Sequence, residues 1–408
     1  MEFSASRLHL PRVRQPTVAD LCVKTVAISC DASNAAVLAL FAEHRELVSL
    51  PVLEQDRPIG LISRSIFMSR MSKPFYHEVY GKKSCIAFMD KEPLMVDVDM
   101  SIEALAFRAV EAGEKALADG FIITRNGELA GVGFGLQLMN VVANMQAEKN
   151  RHIMHSIEYA SVIQRAMLHK SVQALAETLD DGYLVWQPRD IVGGDFHHFC
   201  RYADGWFAAI ADCTGHGVPG AFMTLIAAST LAGAIEQHGP RDPAALMAEV
   251  NRGIKTMLGQ TDGRQPSRGS DDGMDGVFMW FDNASGVLTF AAANNGLLLL
   301  PPAAAEVDSI DGERMGIGYV DSPFDYCWTN RAVPIAAGSL LLVSTDGLVD
   351  QIGGPKEIAY GRRRIRDSML RHRSATAVAL SAAMLDDFQQ WQGGQPRRDD
   401  LTFLCVRP

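Results

Sequence analysis

The sequence lacks the features of several large protein classes. Its seven cysteines are scattered and include no C-x-x-C pair, so we interpret them as reduced, mostly buried thiols of a cytoplasmic protein. No apolar run approaches the length of a membrane helix, and the N-terminus has no signal-peptide core. Basic residues number 38 against 48 acidic ones, which argues against a protein built to bind nucleic-acid phosphates. We therefore expect a cytoplasmic protein that engages neither membrane nor nucleic acid.

What the sequence does contain is typical of a globular protein with more than one domain. The chain has 408 residues, of which 48% are hydrophobic and 21% charged. This length corresponds to about two or three domains. Changes in composition and in the pattern of apolar residues predict a first domain over residues 1–145, a linker over 146–180 and a larger domain over 181–408.

Residues 1–145 hold a weak internal repeat. Each copy has a short apolar strand, an Asp/Ser helix start, an amphipathic helix and a hairpin. The second hairpin is predicted to turn at Asn126-Gly127, a strong hairpin signal, and the first to turn through residues 55–58. The phrases SLPVLEQDRPIGLIS and DGFIITRNGELAGVG resemble a pair of CBS modules, which implies an α/β regulatory domain.

CBS pairs often bind adenine nucleotides, and this sequence departs from the binding form. The positions that usually carry a ribose-binding aspartate hold Ile66 and Gln137. A carboxylate accepts hydrogen bonds from ribose hydroxyls, whereas an isoleucine cannot. The resemblance therefore implies a CBS-like pair but argues against adenine-nucleotide binding, and dimerisation or docking is the alternative role.

A long segment over residues 138–178 contains neither glycine nor proline and predicts a helix. Apolar residues recur on one stripe of it, at Ile153, Ile157, Ala160, Ile163 and Met167. The helix either lies on its own domain or pairs with a second copy of the chain. The stripe by itself does not decide between the two arrangements; we expect a homodimer, for which the linker helix is a candidate dimerising coiled coil.

From residue 183 onward, short apolar or alternating segments separated by turn residues predict antiparallel strands. Helices are expected near 219–237, 242–258 and 375–391. Residues 259–275 are rich in Gly, Asp, Ser and Arg and predict a loop or flap. We therefore expect an α+β region with two sheets.

Aspartates fall at four of these predicted strand ends, namely Asp195, Asp212, Asp346 and the pair Asp399-Asp400. Carboxylates near buried strand ends repel one another unless a cation neutralises them. Oxygen ligands without a His or Cys cluster select Mg²⁺ or Mn²⁺. The spacing therefore predicts a site for one of these ions.

Four motifs around these aspartates, IVGGDFHHF, AIADCTGHGVPGAFMT, STDGLVD and RRDDLTFL, are similar in order and spacing to the PPM-type metal-dependent serine/threonine phosphatases, in particular the bacterial RsbU/SpoIIE-like group. The resemblance implies a β-sandwich of two antiparallel sheets flanked by helices, with two Mn²⁺ or Mg²⁺ ions at one edge. It also implies a catalytic pair, Asp212 and Asp346, and a set of metal-site residues: Asp195, Asp212 as the bridging ligand, the Cys213 carbonyl, Asp346, Asp399, and Asp400 behind them.

Other polar residues in and near these motifs are weaker candidates for a functional role. Asp275 is a candidate for an accessory metal, and Asp350 is expected to be structural. The pair His197-His198 is expected on the surface at a strand end. Arg397-Arg398 either guides an anionic phosphoprotein or is a solvated pair. His216 has no carboxylate partner nearby in sequence, so it is only a minor candidate proton donor.

The function that the resemblance implies is a phosphatase in which two ions activate a water for in-line attack on phosphorus, without a phosphoenzyme. Its substrate would be a small regulatory phosphoprotein similar to an anti-sigma-factor antagonist, and the CBS-like pair would set the activity through the linker helix. Two alternatives remain open at this stage. One is a catalytically weak scaffold with a phosphatase fold, and the other is a CBS-based ligand sensor.

Overall fold

The computed structural model describes residues 16–261 and 271–408, and the chain forms two compact units divided between His152 and Ile153. The first unit contains the elements β1 Ile28–Ser29, α1 Asn34–Glu43, β2 Ser49–Glu54, β3 Arg57–Ser63, α2 Arg64–Met71, α3 Tyr76–Tyr80, β4 Met95–Asp97, α4 Ile102–Glu111, α5 Glu114–Asp119, β5 Phe121–Arg125 and β6 Glu128–Gly133. Helix α6, Gly135–Thr178, runs through the division point. The boundaries at 145 and 180 stay predictions.

The first unit repeats one arrangement, as a CBS pair should. The sheets β1-β2-β3 and β4-β5-β6 each combine one parallel and one antiparallel pairing. In both copies a serine caps the helix: Ser33 accepts a hydrogen bond from Ala36 N, and Ser101 accepts one from Ala104 N. The apolar helix faces pack on the sheets, which buries one core in each copy.

The two hairpin turns use left-handed backbone conformations. Asn126 and Gly127 have φ of 55° and 84°, as a two-residue turn of this kind requires. The first hairpin is tighter than predicted, because residues 57 and 58 already pair in β3 and only Gln55 and Asp56 form the turn, with φ of 48° and 68°.

The second unit is a sandwich of two five-stranded sheets. Their orders are β14-β11-β10-β9-β8 and β13-β12-β15-β18-β7, with every strand pairing antiparallel. The strands are β7 Gly182–Gln187, β8 Asp195–Arg201, β9 Gly205–Cys213, β10 Met274–Asp282, β11 Val287–Ala293, β12 Gly296–Leu300, β13 Asp308–Asp311, β14 Arg331–Pro334, β15 Leu340–Ser344 and β18 Leu401–Val406, with the short pair β16 Ile352–Gly353 and β17 Ile358–Ala359 beside them. Of the predicted loop over 259–275, residues 262–270 lie outside the described residues.

Helices cover both outer faces of the sandwich. These helices are α7 Gly217–His238, α8 Pro243–Leu258, the short α9 Gly347–Asp350, α10 Gly361–Arg371 and α11 Ala377–Gln392. One core lies between the sheets, a second lies under α7 and α8, and a third lies under α10 and α11. The predicted fold class, α+β with a two-sheet antiparallel sandwich flanked by helices, is confirmed. Helix α10 was not expected from the sequence.

Helix α7 qualifies the expectation that no segment could span a membrane. By length and composition alone its 22 residues would suffice, with a mean hydropathy of 1.7 over its most apolar window. In the structure its Met223, Ala227 and Leu231 are buried in the core against α8 and the first sheet. Packing within the sandwich therefore accounts for this buried face of α7, whereas Phe222 on the same helix is exposed.

Candidate metal centre

One end of the first sheet carries a row of three carboxylates. Asp195 opens β8 and lies directly opposite Asp212 near the end of β9. On its other side, Asp212 lies opposite Asp275 of β10. Since directly opposed residues in an antiparallel pair have Cβ atoms about 4.5–5.5 Å apart, the three carboxylates are close neighbours. This brings the predicted ligands Asp195 and Asp212 together with Asp275.

The second sheet brings two further aspartates to the same place. Asp346 follows β15 and Asp399 precedes β18, and these two strands pair with each other. At Gly347 a Cβ atom would lie 1.8 Å from the Asp400 carbonyl oxygen, so only glycine lets the two segments approach this closely. Thr345 then joins the sheets, because its hydroxyl donates to Asp195 Oδ2 over 2.8 Å.

The electrostatics of the cluster show carboxylates held against one another. Burial, with the neighbouring Asp195 and Asp346, raises the pKa of Asp212 to about 10. Burial is also the main cause that raises the pKa of Asp195 well above its usual range, and Asp400 adds to it. The pKa of Asp346 is raised by burial, while a hydrogen bond with Asp212 opposes the shift. These groups share protons unless a cation compensates their charge.

The cluster fits a hard divalent cation. Asp195 Oδ1 is buried and has no hydrogen-bond partner, so it is available as a ligand. Within residues 16–261 and 271–408, no three His, Cys, Asp or Glu side chains enclose an ion by themselves. Backbone carbonyls and waters would therefore complete the coordination, which is the usual habit of Mg²⁺ in proteins. The Cys213 side chain is buried in the core, so only its carbonyl can serve.

Asp400 is placed differently from the other aspartates. Its Oδ1 accepts a hydrogen bond from Arg189 N and its Oδ2 accepts one from Gly194 N, both at 2.5 Å. Both carboxylate oxygens are thus engaged with backbone, behind the loop that carries Asp195. Its own pKa is raised by burial, although these backbone hydrogen bonds lower it.

Two expectations for histidines are wrong. The ring of His197 is 2% exposed rather than on the surface, and burial lowers its pKa to about 4. Burial also lowers the pKa of His198 to about 4. His216 does have a carboxylate partner, since its Nδ1 lies 2.9 Å from Asp190 Oδ2. Asp190 is 26 residues away along the chain, and for that reason the local sequence did not reveal it.

The arginine pair before Asp399 is split between two environments. Arg397 lies over the Phe388 ring at 5.2 Å and donates to Gln187 Oε1 over 2.9 Å, so it is a packing residue. Arg398 is exposed, and its charge acts to lower the pKa of Asp346. Of these two arginines, Arg398 is the exposed one.

Sequence reasoning missed the residue that fastens helix α6 to the metal centre. Gln164 is buried, and its Nε2 donates to Gly193 O over 2.7 Å and to Thr224 Oγ1 over 3.0 Å. Its Oε1 accepts from Gly193 N over 3.2 Å. A polar residue next to the apolar stripe, one position after Ile163, was the available signal.

A groove of about 310 Å³ opens beside the cluster. Its walls include the carboxylates of Asp212, Asp275 and Asp346, and the amide of Asn294, which donates to Asp275 Oδ1 over 3.0 Å. Asp350 also lines this groove. The arrangement can place a substrate anion against a cation held by the aspartates.

Comparison with known proteins agrees with this geometry. A CBS domain model matches residues 18–73, and the fold and site define a PP2C-type phosphatase domain that follows a CBS-containing region. The family model described as Stage II sporulation protein E (SpoIIE) matches residues 202–408, just over half of the chain. The chain belongs to this SpoIIE family.

Several solved structures are similar to parts of this chain. The SiaA PP2C domain of Pseudomonas aeruginosa is 36% identical, with a TM-score of 0.57, over 64% of this chain and 99% of that one. The SpoIIE phosphatase domain with a regulatory fragment from Bacillus subtilis is 18% identical, and the RsbU and RsbW domains of a Mycobacterium tuberculosis protein are 20% identical. For each of these two the TM-score is 0.45, with 56% of this chain and 61% of the other covered. No curated protein matches the chain.

Proposed function

We propose that this protein is a metal-dependent serine/threonine phosphatase that hydrolyses phosphoserine or phosphothreonine on a small regulatory phosphoprotein. The observation that carries the proposal is the cluster of buried aspartates drawn from both sheets, in which neighbouring carboxylates raise one another's pKa. Two Mn²⁺ or Mg²⁺ ions would supply the compensating charge and an activated water.

The aspartates of this cluster would have different roles. Asp195, Asp212, Asp346 and Asp399, with the Cys213 carbonyl, would hold the ions, and Asp212 would bridge them because it stands between the carboxylates of its neighbours. Asp400 would fix the loop before Asp195 through Gly194, rather than bind an ion itself. Asp275 is the candidate for an accessory ion.

The partner is proposed to be similar to an anti-sigma-factor antagonist, which the membership in the SpoIIE family supports. We place this partner-switching activity in the cytoplasm. The thiols of all seven cysteines are free, which agrees with a reducing compartment.

Regulation is proposed to pass through helix α6. Gln164 ties this helix to Gly193, and the next residue but one is the ligand Asp195. A shift or rotation of α6 would break these bonds or move the loop with them. Because the N-terminal part of α6 belongs to the first unit, the CBS-like pair has a continuous helix through which to act.

We also propose that the protein is a homodimer through α6. The stripe residues Ile153 and Ile163 are about half exposed, and they border an apolar groove of about 530 Å³ with Phe222 of α7. A contiguous exposed apolar surface, unlike single exposed apolar residues, is typical of an interface. A second copy of the chain would cover it. Met167 packs on the core of the second unit instead, so the free stripe ends at Ile163.

Adenine nucleotide is not proposed as the regulatory ligand. The cleft between the two repeats has a volume of about 190 Å³ and is lined by Ile66 at the position discussed above. Its carboxylates Asp90, Glu92 and Asp119 would repel a nucleotide phosphate. The cleft also has two cations among the described residues: Lys115 is paired with Asp90 over 2.7 Å, and Arg70 lies over the Phe88 ring at 5.9 Å.

The test is phosphate release with Mn²⁺ from phosphoproteins encoded near the gene of this protein. Wild type should turn them over and Asp346→Asn should not, while Asp308→Asn, an exposed carboxylate on β13, serves as the matched control. Equal activity of wild type and Asp346→Asn would refute the site. Tight binding without turnover by the wild type would favour the scaffold alternative.

A further inference from the structure

Helix α10 is a basic element in an acidic chain. Its 11 residues, GRRRIRDSMLR, include five arginines and a single acidic residue. Across the whole protein, by contrast, acidic residues outnumber basic ones by 48 to 38. Two of the arginines have structural contacts, since Arg364 lies over the Trp391 ring at 3.5 Å and Arg371 donates to Asp387 Oδ2 over 2.5 Å. The remaining three are Arg362, Arg363 and Arg366.

Packing fixes which arginines of the helix meet solvent: Arg362 and Arg363 are exposed, and Arg366 is half-buried. Ile365 and Met369 are buried in the core beneath α10, which fixes the face turned toward the second sheet. The side chain of Arg363 is 91% exposed, and its one ion pair, with Asp367, has a length of 3.7 Å. Arg366 has no ion pair within the described residues. Such weakly paired charges are free to meet a partner.

The active-site groove links this helix to the metal centre. The groove is lined by Asp212 and Asp346 and also by Arg362, which is the only cationic side chain lining it among the described residues. Arg362 Nη1 lies 3.0 Å from Asp311 Oδ1, in a pair whose two side chains are both largely open to solvent. A substrate seated in the groove would therefore have α10 beside it.

We propose that α10 is the docking helix for an acidic surface of the phosphoprotein substrate, which rests on the proposed function. The groove itself is lined by Asp275, Asp311 and Asp350, so acidic residues of a partner are disfavoured inside it. The acidic residues of the partner are instead favoured beside Arg363 and Arg366. The phosphorylated residue enters the groove, while the acidic surface around it lies on α10 and guides association.

The experiment compares probes of different charge on the full chain. A phosphoserine peptide flanked by Asp and Glu is compared with one flanked by Ser and Ala, and p-nitrophenyl phosphate reports the chemistry alone. The variant is Arg363→Glu/Arg366→Glu. The matched control is Arg241→Glu, whose partner Asp204 lies in the β8–β9 turn, at the opposite end of these strands from Asp195 and Asp212.

The double variant should lower kcat/KM for the acidic peptide about tenfold, since two weak attractions become repulsions. It should leave the neutral peptide and p-nitrophenyl phosphate within about twofold, and Arg241→Glu should leave all three unchanged. Added salt should weaken the preference of the wild type for the acidic peptide.

Fluorescence anisotropy of the same peptides on metal-free protein separates docking from catalysis. If the acidic peptide binds and the double variant loses it while no substrate is hydrolysed, docking stands and the proposed function fails. Equal use of the two peptides by an active wild type would overturn the docking helix. Single-stranded RNA that binds α10 more tightly than the acidic peptide would overturn it as well.

Discussion

Replacing Asp212 by asparagine should make the metal-free protein more stable. The folded state holds this carboxyl with a pKa of about 10, against a usual value of 3.8, because of burial and of its neighbours Asp195 and Asp346. The folded state therefore binds more protons than the unfolded one between these values, so stability falls as pH rises. At about pH 7.5 the full cost is roughly 5 kcal/mol, since one pKa unit is about 1.4 kcal/mol.

Asparagine removes this cost and can still donate a hydrogen bond to Asp346. Allowing for partial exposure and for the shared proton, we expect a gain of about 2–3 kcal/mol. In a domain of this size that is an increase in Tm of roughly 4–10 °C. Thermal unfolding in EDTA at about pH 7.5 measures it, with Asp308→Asn as the control. An unchanged or lower Tm for Asp212→Asn would refute the electrostatic reading of the cluster.

Three further predictions concern the surroundings of the site. Gln164→Leu leaves the backbone of Gly193 unpaired, so it should lower the free energy of unfolding by about 1–3 kcal/mol and weaken Mn²⁺ binding measured by calorimetry. Gln173→Leu, which changes an exposed residue of the same helix, should have neither effect. Mn²⁺ binding at neutral pH should release protons, because the raised pKa values keep carboxyls protonated without metal; calorimetry in two buffers of different ionisation enthalpy would show this, and buffer-independent heats would contradict it. Between about pH 6.5 and 4, His197 contributes with the opposite sign to Asp212, because the unfolded state binds a proton that buried His197 does not, so this group by itself lowers stability as pH falls. In chemical denaturation of the metal-free protein, His197→Leu should therefore gain more stability than the wild type as pH falls from about 6.5 to 4. An identical pH slope for the two proteins would show that His197 does not contribute.

The elements that sequence could predict are those whose signal is local. Alternation and turn residues predicted strands β7, β9, β10, β11, β15 and β18 of the two sheets, and the Asn126-Gly127 turn forms as expected. The aspartates could be grouped because each follows or precedes a strand, and antiparallel pairing brings strand ends together. Asp275 lies opposite Asp212 because of the register in which β10 pairs with β9. The sequence gave Asp275 only as a candidate for an accessory metal, since it does not reveal this register.

What the sequence could not predict depends on contacts between distant segments. His216 meets Asp190 only because the loop before β8 lies beside the start of α7. Two adjacent histidines at the start of a strand predict a surface position, yet the packing of α6 and Trp186 encloses His197. Asp400 differs from Asp399 only in which backbone amides its carboxylate meets. Such roles are settled by tertiary structure, not by residue type.

The most direct test of the central claim is an anomalous difference map from crystals grown with Mn²⁺. Two peaks about 3.5–4 Å apart are expected, with Asp212 between them and Asp195, Asp346 and Asp399 around them. Asp400 should keep its hydrogen bonds to Arg189 and Gly194. The absence of ions at these aspartates under saturating Mn²⁺ would contradict the proposed two-metal centre.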